Sequence, residues 1–132
     1  AITKAVAAKL DCKAFYIVPP PRAMFCGIER KLDVGPKEFL SLVKHADFVV
    51  TNSFHGTVFS TIYKKPFISA VANEVDTRRA SLMKLFGLED HLTNPENMDL
   101  EKIFHTDFDE VEKRLTTLRE HSLNYLYNAL EK

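Results

Sequence analysis

Ser53, His55, Gly56 and Thr57 share one short polar stretch, Thr51-Asn52-Ser53-Phe54-His55-Gly56-Thr57, set between apolar runs. Such a set could hold an oxyanion and move a proton. Free backbone amides at a helix start favour negative charge. Gly56 lets the chain turn tightly and lets a ligand approach the backbone. The hydroxyls of Ser53 and Thr57 add donors, although Ser53 fits equally well as a helix cap. His55 can bind a phosphate oxygen or carry a proton near neutral pH. The plainer role for His55 is to cap the turn. Further along, Arg78 or Arg79 offers a planar fork for a carboxylate or phosphate. Glu74 could accept a hydroxyl proton as a general base, and a solvated loop glutamate fits its position as well.

These residues need a scaffold that brings them to one edge. Phe48 to Val50 reads as a strand covered on both faces, with two β-branched valines. Thr51-Asn52-Ser53 breaks it with side chains that bond local backbone. Val58, Phe59, Ile62 and Tyr63 recur at helical spacing. Lys64-Lys65 is expected in the last helical turn, and Pro66 ends the helix. Phe67 to Val71 forms the next strand, and the loop Ala72 to Thr77 follows it, carrying Asn73, Glu74 and Asp76. In an open parallel sheet, both polar segments would lie at the carboxyl ends of strands, where such sheets bind ligands. Arg78-Arg79 then opens a helix that Gly87 stops.

Elsewhere, Ile2 to Leu10 has helical spacing. Phe15 to Val18 reads as a strand ended by Pro19-Pro20-Pro21. Arg22 to Val34 reads best as a loop, in which Arg22 and Arg30 are surface arginines within reach of an anion. Pro36 starts a helix with Phe39, Leu40, Leu42 and Val43 inward. Glu89 to Leu92 and Asn94 to Asn97 read as turns. A short helix fits Asp99 to Phe104, and a long amphipathic one Phe108 to Leu130. The formal net charge is zero, so the composition does not point to a nucleic-acid or membrane-surface binder. No apolar run reaches the length of a membrane span. Cys12 and Cys26 read as two reduced thiols, lacking CxxC spacing. His45, His55, His91, His105 and His121 have no ligand spacing, and neither GxxxxGK[ST] nor GxGxxG occurs, so no metal or other cofactor is expected.

The central stretch resembles the signature of the polysaccharide pyruvyl transferase family. The likeness rests on Ser53-Phe54-His55-Gly56 with Asp47, Thr51, Phe59-Ser60 and Lys65-Pro66-Phe67-Ile68. Gly35 to Leu40, Arg79 to Leu82, Leu85 to Asp90, and Arg119 to Ser122 with Leu126 and Ala129-Leu130 are similar to further family segments. The sequence departs from the pattern at His91, where the family usually has arginine. The resemblance implies an α/β fold: a Rossmann-like parallel sheet flanked by helices, as in the C-terminal half of a glycosyltransferase-B-type enzyme. Such enzymes have two domains with the active site between them. The expectation is therefore one Rossmann-like domain over residues 1–132, a C-terminal fragment that is inactive alone and lacks its N-terminal domain.

The implied reaction moves pyruvyl from phosphoenolpyruvate to sugar hydroxyls as a ketal, on a saccharide or lipid-linked glycan. It would serve exopolysaccharide or cell-surface glycan synthesis, in the cytoplasm or at the inner membrane face. In that reading His55 and Glu74 are catalytic, and Ser53, Gly56, Thr57 and Arg79 bind the donor's phosphate and carboxylate. Two other readings use the same residues. A glycosyltransferase of the same fold would seat a nucleotide-sugar diphosphate on the turn, with a base pocket near Val18 to Arg22 or Ser69 to Glu74. A non-catalytic binding module would keep the fold without the chemistry.

Overall fold

The computed structural model describes residues 2–17, 27–31, 33–71, 76–94 and 96–131. Their elements are α1 (Ile2–Leu10), β1 (Phe15–Tyr16), β2 (Glu29–Arg30), α2 (Pro36–His45), β3 (Val49–Thr51), α3 (Phe54–Ile62), β4 (Phe67–Ala70), α4 (Thr77–Phe86), β5 (Leu92–Thr93), α5 (Leu100–Phe104) and α6 (Phe108–Leu130). Every described strand pair is parallel. β1 pairs with β2, and β3-β4-β5 form a second sheet with β4 in the middle. Parallel strands separated by helices make this a Rossmann-like α/β fold, as expected.

β4 is the centre of the core because its side chains alternate between two packed layers. Ile68 points to a cluster with Ile2 and Val6 of α1 and with Leu100 and Ile103 of α5. Phe67 points the other way, to Met83 and Phe86 of α4, Leu88, and Val111 of α6. Phe67, Ile68 and Met83 are fully buried, and each contributes roughly 1.5–3 kcal/mol through removal of apolar surface from water. Among the described strands β3 is an edge and its three residues are only half-buried. The fully covered strand is therefore β4, not Phe48 to Val50.

The helix α3 departs most from the sequence reading. Its buried residues are Gly56, Thr57, Ser60 and Thr61, while Ile62 is 47% exposed. A helix pressed closely onto a sheet needs small side chains there. The hydroxyls cost little to bury because they bond within the helix: Ser60 Oγ donates to Gly56 O at 2.7 Å and Thr61 Oγ1 to Thr57 O at 3.0 Å. The partly buried Phe59 packs edge-on against Phe39 of α2. The helix also ends earlier than expected. Lys64 and Lys65 close a Schellman motif beyond it, with Lys65 N–H bonded to Ser60 O, Lys64 N–H to Thr61 O, and Lys64 left-handed at φ 53.

Two short strands also correct the sequence reading. Glu29–Arg30 is β2 rather than loop. Leu92–Thr93 is β5, preceded by a 3₁₀ turn at Glu89–His91, rather than a turn throughout. Two residues carry no periodicity, so neither could be seen in the sequence. The helices at Ile2, Pro36, Arg78, Leu100 and Phe108 stand as expected, with Pro36 at a first helical position and Gly87 left-handed at the end of α4. Pro19 to Pro21, Arg22, Met24 to Cys26, and Ala72 to Val75 lie outside the described residues. Among the described residues no helix is long and apolar enough to cross a membrane.

Candidate functional site

β3 and β4 both run toward one edge of the sheet, and α3 and α4 both begin there. This edge is where parallel sheets place ligands. Ser53 is the N-cap of α3, its Oγ accepting from Gly56 N at 3.1 Å. Thr57 N–H bonds Ser53 O, and Ser53 N–H bonds Thr51 Oγ1. The first-turn amides of Phe54 and His55 have no hydrogen-bond partner among the described residues. His55 is thus the second residue of a helix rather than part of a loop, and its side chain is exposed.

Gly56 is helical too, so a tight turn does not explain it. A Cβ there would overlap Thr51 Oγ1 and sit 2.9 Å from Thr51 Cβ. The glycine lets α3 start flush against the end of β3, the role a glycine plays in close helix–strand packing.

Below this edge runs a buried polar chain. Thr57 and Ser69 have no exposure, and Thr57 Oγ1 lies 2.9 Å from Ser69 Oγ. Arg79, 6% exposed, donates from Nη1 to Ser69 Oγ at 3.1 Å and to Ala70 O at 3.0 Å. Among the described residues its nearest anion is Asp76, with Oδ2 4.0 Å from Nε. Asp76 itself caps α4. The Arg78 amide and then its side chain hold the Asp76 carboxyl below the ordinary range. Arg78, on the exposed side, lies over the Phe54 ring at 5.6 Å, and Phe54 meets His55 edge-on. The starts of α3 and α4 thus meet through Arg78 above and Arg79 below.

Of the residues singled out in the sequence, Ser53, His55, Gly56, Thr57 and Arg79 come together here. Glu74 and Asn73 lie outside the described residues. Arg30 is exposed in the other sheet. The Thr57 hydroxyl and Arg79 Nη1 face inward, bonded to protein. Ser69 was read as part of a strand and, in the glycosyltransferase reading, as one end of a base pocket. Its signal was its place near the carboxyl end of β4, inside an otherwise apolar run. His91 lies far from this edge in the fold, bonded to Phe67 O at the amino end of β4.

The family model for polysaccharide pyruvyl transferase matches residues 12–74, so this part of the chain is similar to that transferase family. The match covers the Ser53-Phe54-His55-Gly56 signature. It begins further toward the N-terminus than Gly35, and it stops before Arg79 and the closing helix. No curated protein and no solved structure matches the chain significantly.

Proposed function

We propose that this chain provides the donor-binding side of a polysaccharide pyruvyl transferase, which moves pyruvyl from phosphoenolpyruvate to two hydroxyls of a sugar as a cyclic ketal. One observation carries the reading. An exposed histidine in the first turn of α3 stands beside two amides with no hydrogen-bond partner among the described residues, and the buried Arg79 is linked to that turn through Ser69 and Thr57. That arrangement suits a small, highly charged anion.

The chemistry follows from the donor. Carbon 3 of the enol takes a proton, and positive charge builds at carbon 2. One sugar hydroxyl adds to carbon 2 and loses its proton. The carbon 2–oxygen bond to phosphate then breaks, and the second hydroxyl closes the ketal, its proton passing to the departing phosphate. His55 is the general acid at carbon 3 or a ligand of the phosphate. The amides of Phe54 and His55 stabilise the departing phosphate. Arg78 is the exposed cation best placed for the donor carboxylate, and Arg79 contributes its charge from below. Glu74 is the base for a sugar hydroxyl. A second, N-terminal domain holds the acceptor, and the cellular role is synthesis of exopolysaccharide or surface glycan in the cytoplasm.

An amide NMR titration of the chain with phosphoenolpyruvate, run beside one with a nucleoside diphosphate, tests the reading. Shifts at Phe54 to Thr57 with phosphoenolpyruvate, lost in His55→Ala, are expected. A response to the nucleotide that phosphoenolpyruvate does not produce would move the assignment to a nucleotide-sugar glycosyltransferase.

A further inference from the structure

The Thr57, Ser69 and Arg79 contacts have one consistent direction. Arg79 Nη1 can only donate, so Ser69 Oγ accepts. Ser53 O can only accept, so the Thr57 hydroxyl, 3.0 Å away, spends its proton there. The 2.9 Å bond between the two hydroxyls must then run from Ser69 to Thr57. The result is a one-way chain: Arg79 N–H to Ser69, Ser69 O–H to Thr57, Thr57 O–H to the carbonyl of Ser53. Ser69 and Thr57 have no exposure, and Arg79 is more than nine-tenths buried. Hydrogen bonds aligned in this way polarise one another, and a cation at the head strengthens each link.

We propose that Ser69 is a positioning residue of the anion site, coupling the buried charge of Arg79 through Thr57 to the cap that orients the amides of Phe54 and His55. The inference rests on the anion-site reading for its consequence, but its geometry stands without it. β4 needs no hydroxyl at this position for its own ladder. A serine there gives the arginine a route to the start of α3, which Arg79 does not itself bond among the described residues.

The test uses the whole chain. Ser69→Ala removes the link, Thr57→Val removes the next, and Thr57→Ser restores the hydroxyl while losing only a methyl group. Two readouts are taken. Without ligand, amide hydrogen exchange is followed at Phe54 to Gly56 and, as a control, across α5. With ligand, inorganic phosphate is titrated and the shifts of Phe54 and His55 are fitted. Ser69→Ala and Thr57→Val should each speed exchange at the start of α3, leave α5 unchanged, and weaken phosphate about tenfold, the factor that 1.4 kcal/mol represents. The double variant should lose no more than either single one, and Thr57→Ser should behave as the parent. Equal acceleration in α5 would mean general loosening and would overturn the proposal. So would unchanged exchange at Phe54 to Gly56, or additive losses in the double variant. If the parent chain binds no phosphate, the anion-site reading fails, and the exchange pattern alone decides whether the coupling exists.

Discussion

Gly56 is set against Thr51 so closely that a single added carbon has no room: its Cβ would sit 2.9 Å from Thr51 Cβ and overlap the hydroxyl oxygen. Alanine is the better helix former by about 1 kcal/mol, so an exposed glycine at this point would gain from replacement. Here the overlap is with a side chain rooted in a strand, and overpacking of that kind costs about 1–3 kcal/mol. Gly56→Ala is therefore expected to lower stability in chemical denaturation. Thr51→Ala in the same chain should recover part of the loss by removing the hydroxyl and methyl. A stabilised Gly56→Ala would show that α3 can shift away from β3 at no cost.

His55 carries the opposite expectation, because its side chain is exposed and makes no hydrogen bond among the described residues. Its replacement by alanine should change stability by no more than about 0.5 kcal/mol, as for other surface positions. On the proposed function, the rate of pyruvyl transfer should fall by about 10²–10⁴, the range for loss of a general acid. A melt and a rate assay on the same variant separate these outcomes. A large loss of stability with a proportionate loss of rate would make His55 a structural residue.

The parts of the site visible in the sequence were those set by local chemistry. Ser53 three residues before Gly56 marks a cap, Gly87 marks a helix end, and the apolar run at Phe67 marks a strand, although its central place was assigned to Phe48 to Val50 instead. Each depends on neighbours a few positions away. What could not be read depends on residues far apart in the chain. Nothing local says that Thr57 bonds Ser69, or that Arg79 turns inward to Ala70 O rather than outward like Arg78. The inward face of α3 was misjudged for the same reason. Val58, Phe59 and Ile62 have the right spacing for a core stripe, but the closeness of β3 and β4 selects the small residues Gly56, Thr57 and Ser60 instead.

Lys64 is a lysine in the left-handed conformation, at φ 53, where a Schellman motif favours glycine. Its side chain pairs across to Glu112 of α6 and, at 3.6 Å, to Asp109, which raises the lysine's affinity for its proton. The two effects can be separated. Lys64→Ala keeps the unfavourable backbone and loses the ion pairs, so it should melt below the parent. Lys64→Gly loses the pairs but relieves the backbone, so it should melt above Lys64→Ala. Added salt should narrow the gap between the parent and Lys64→Ala, since all three charged groups are exposed to screening. If the two variants melt together, the left-handed residue carries no strain.

His91 gives the fold a pH dependence of known sign. Its ring is 2% exposed and packs on Phe67. The Phe67 carbonyl accepts at 2.9 Å, so Nδ1 carries the ring proton, and Nε2 faces Thr106 Oγ1 at 2.8 Å. Burial lowers the pKa below the ordinary 6.5, against smaller opposing effects of the Phe67 bond and of Asp90. The unfolded chain therefore takes up this proton at higher pH than the folded one. The neutral ring's contribution is fully present above the unfolded value and is lost as pH falls from there through the folded one. Stability of the parent should decline as pH falls through and below the ordinary 6.5 relative to His91→Gln, whose amide does not titrate there. Asp76 and Glu112 have lowered values, so their own losses come at lower pH and do not enter this window. Urea midpoints of both proteins across the interval measure the difference. Parallel curves would mean that His91 keeps an ordinary affinity for its proton despite its burial.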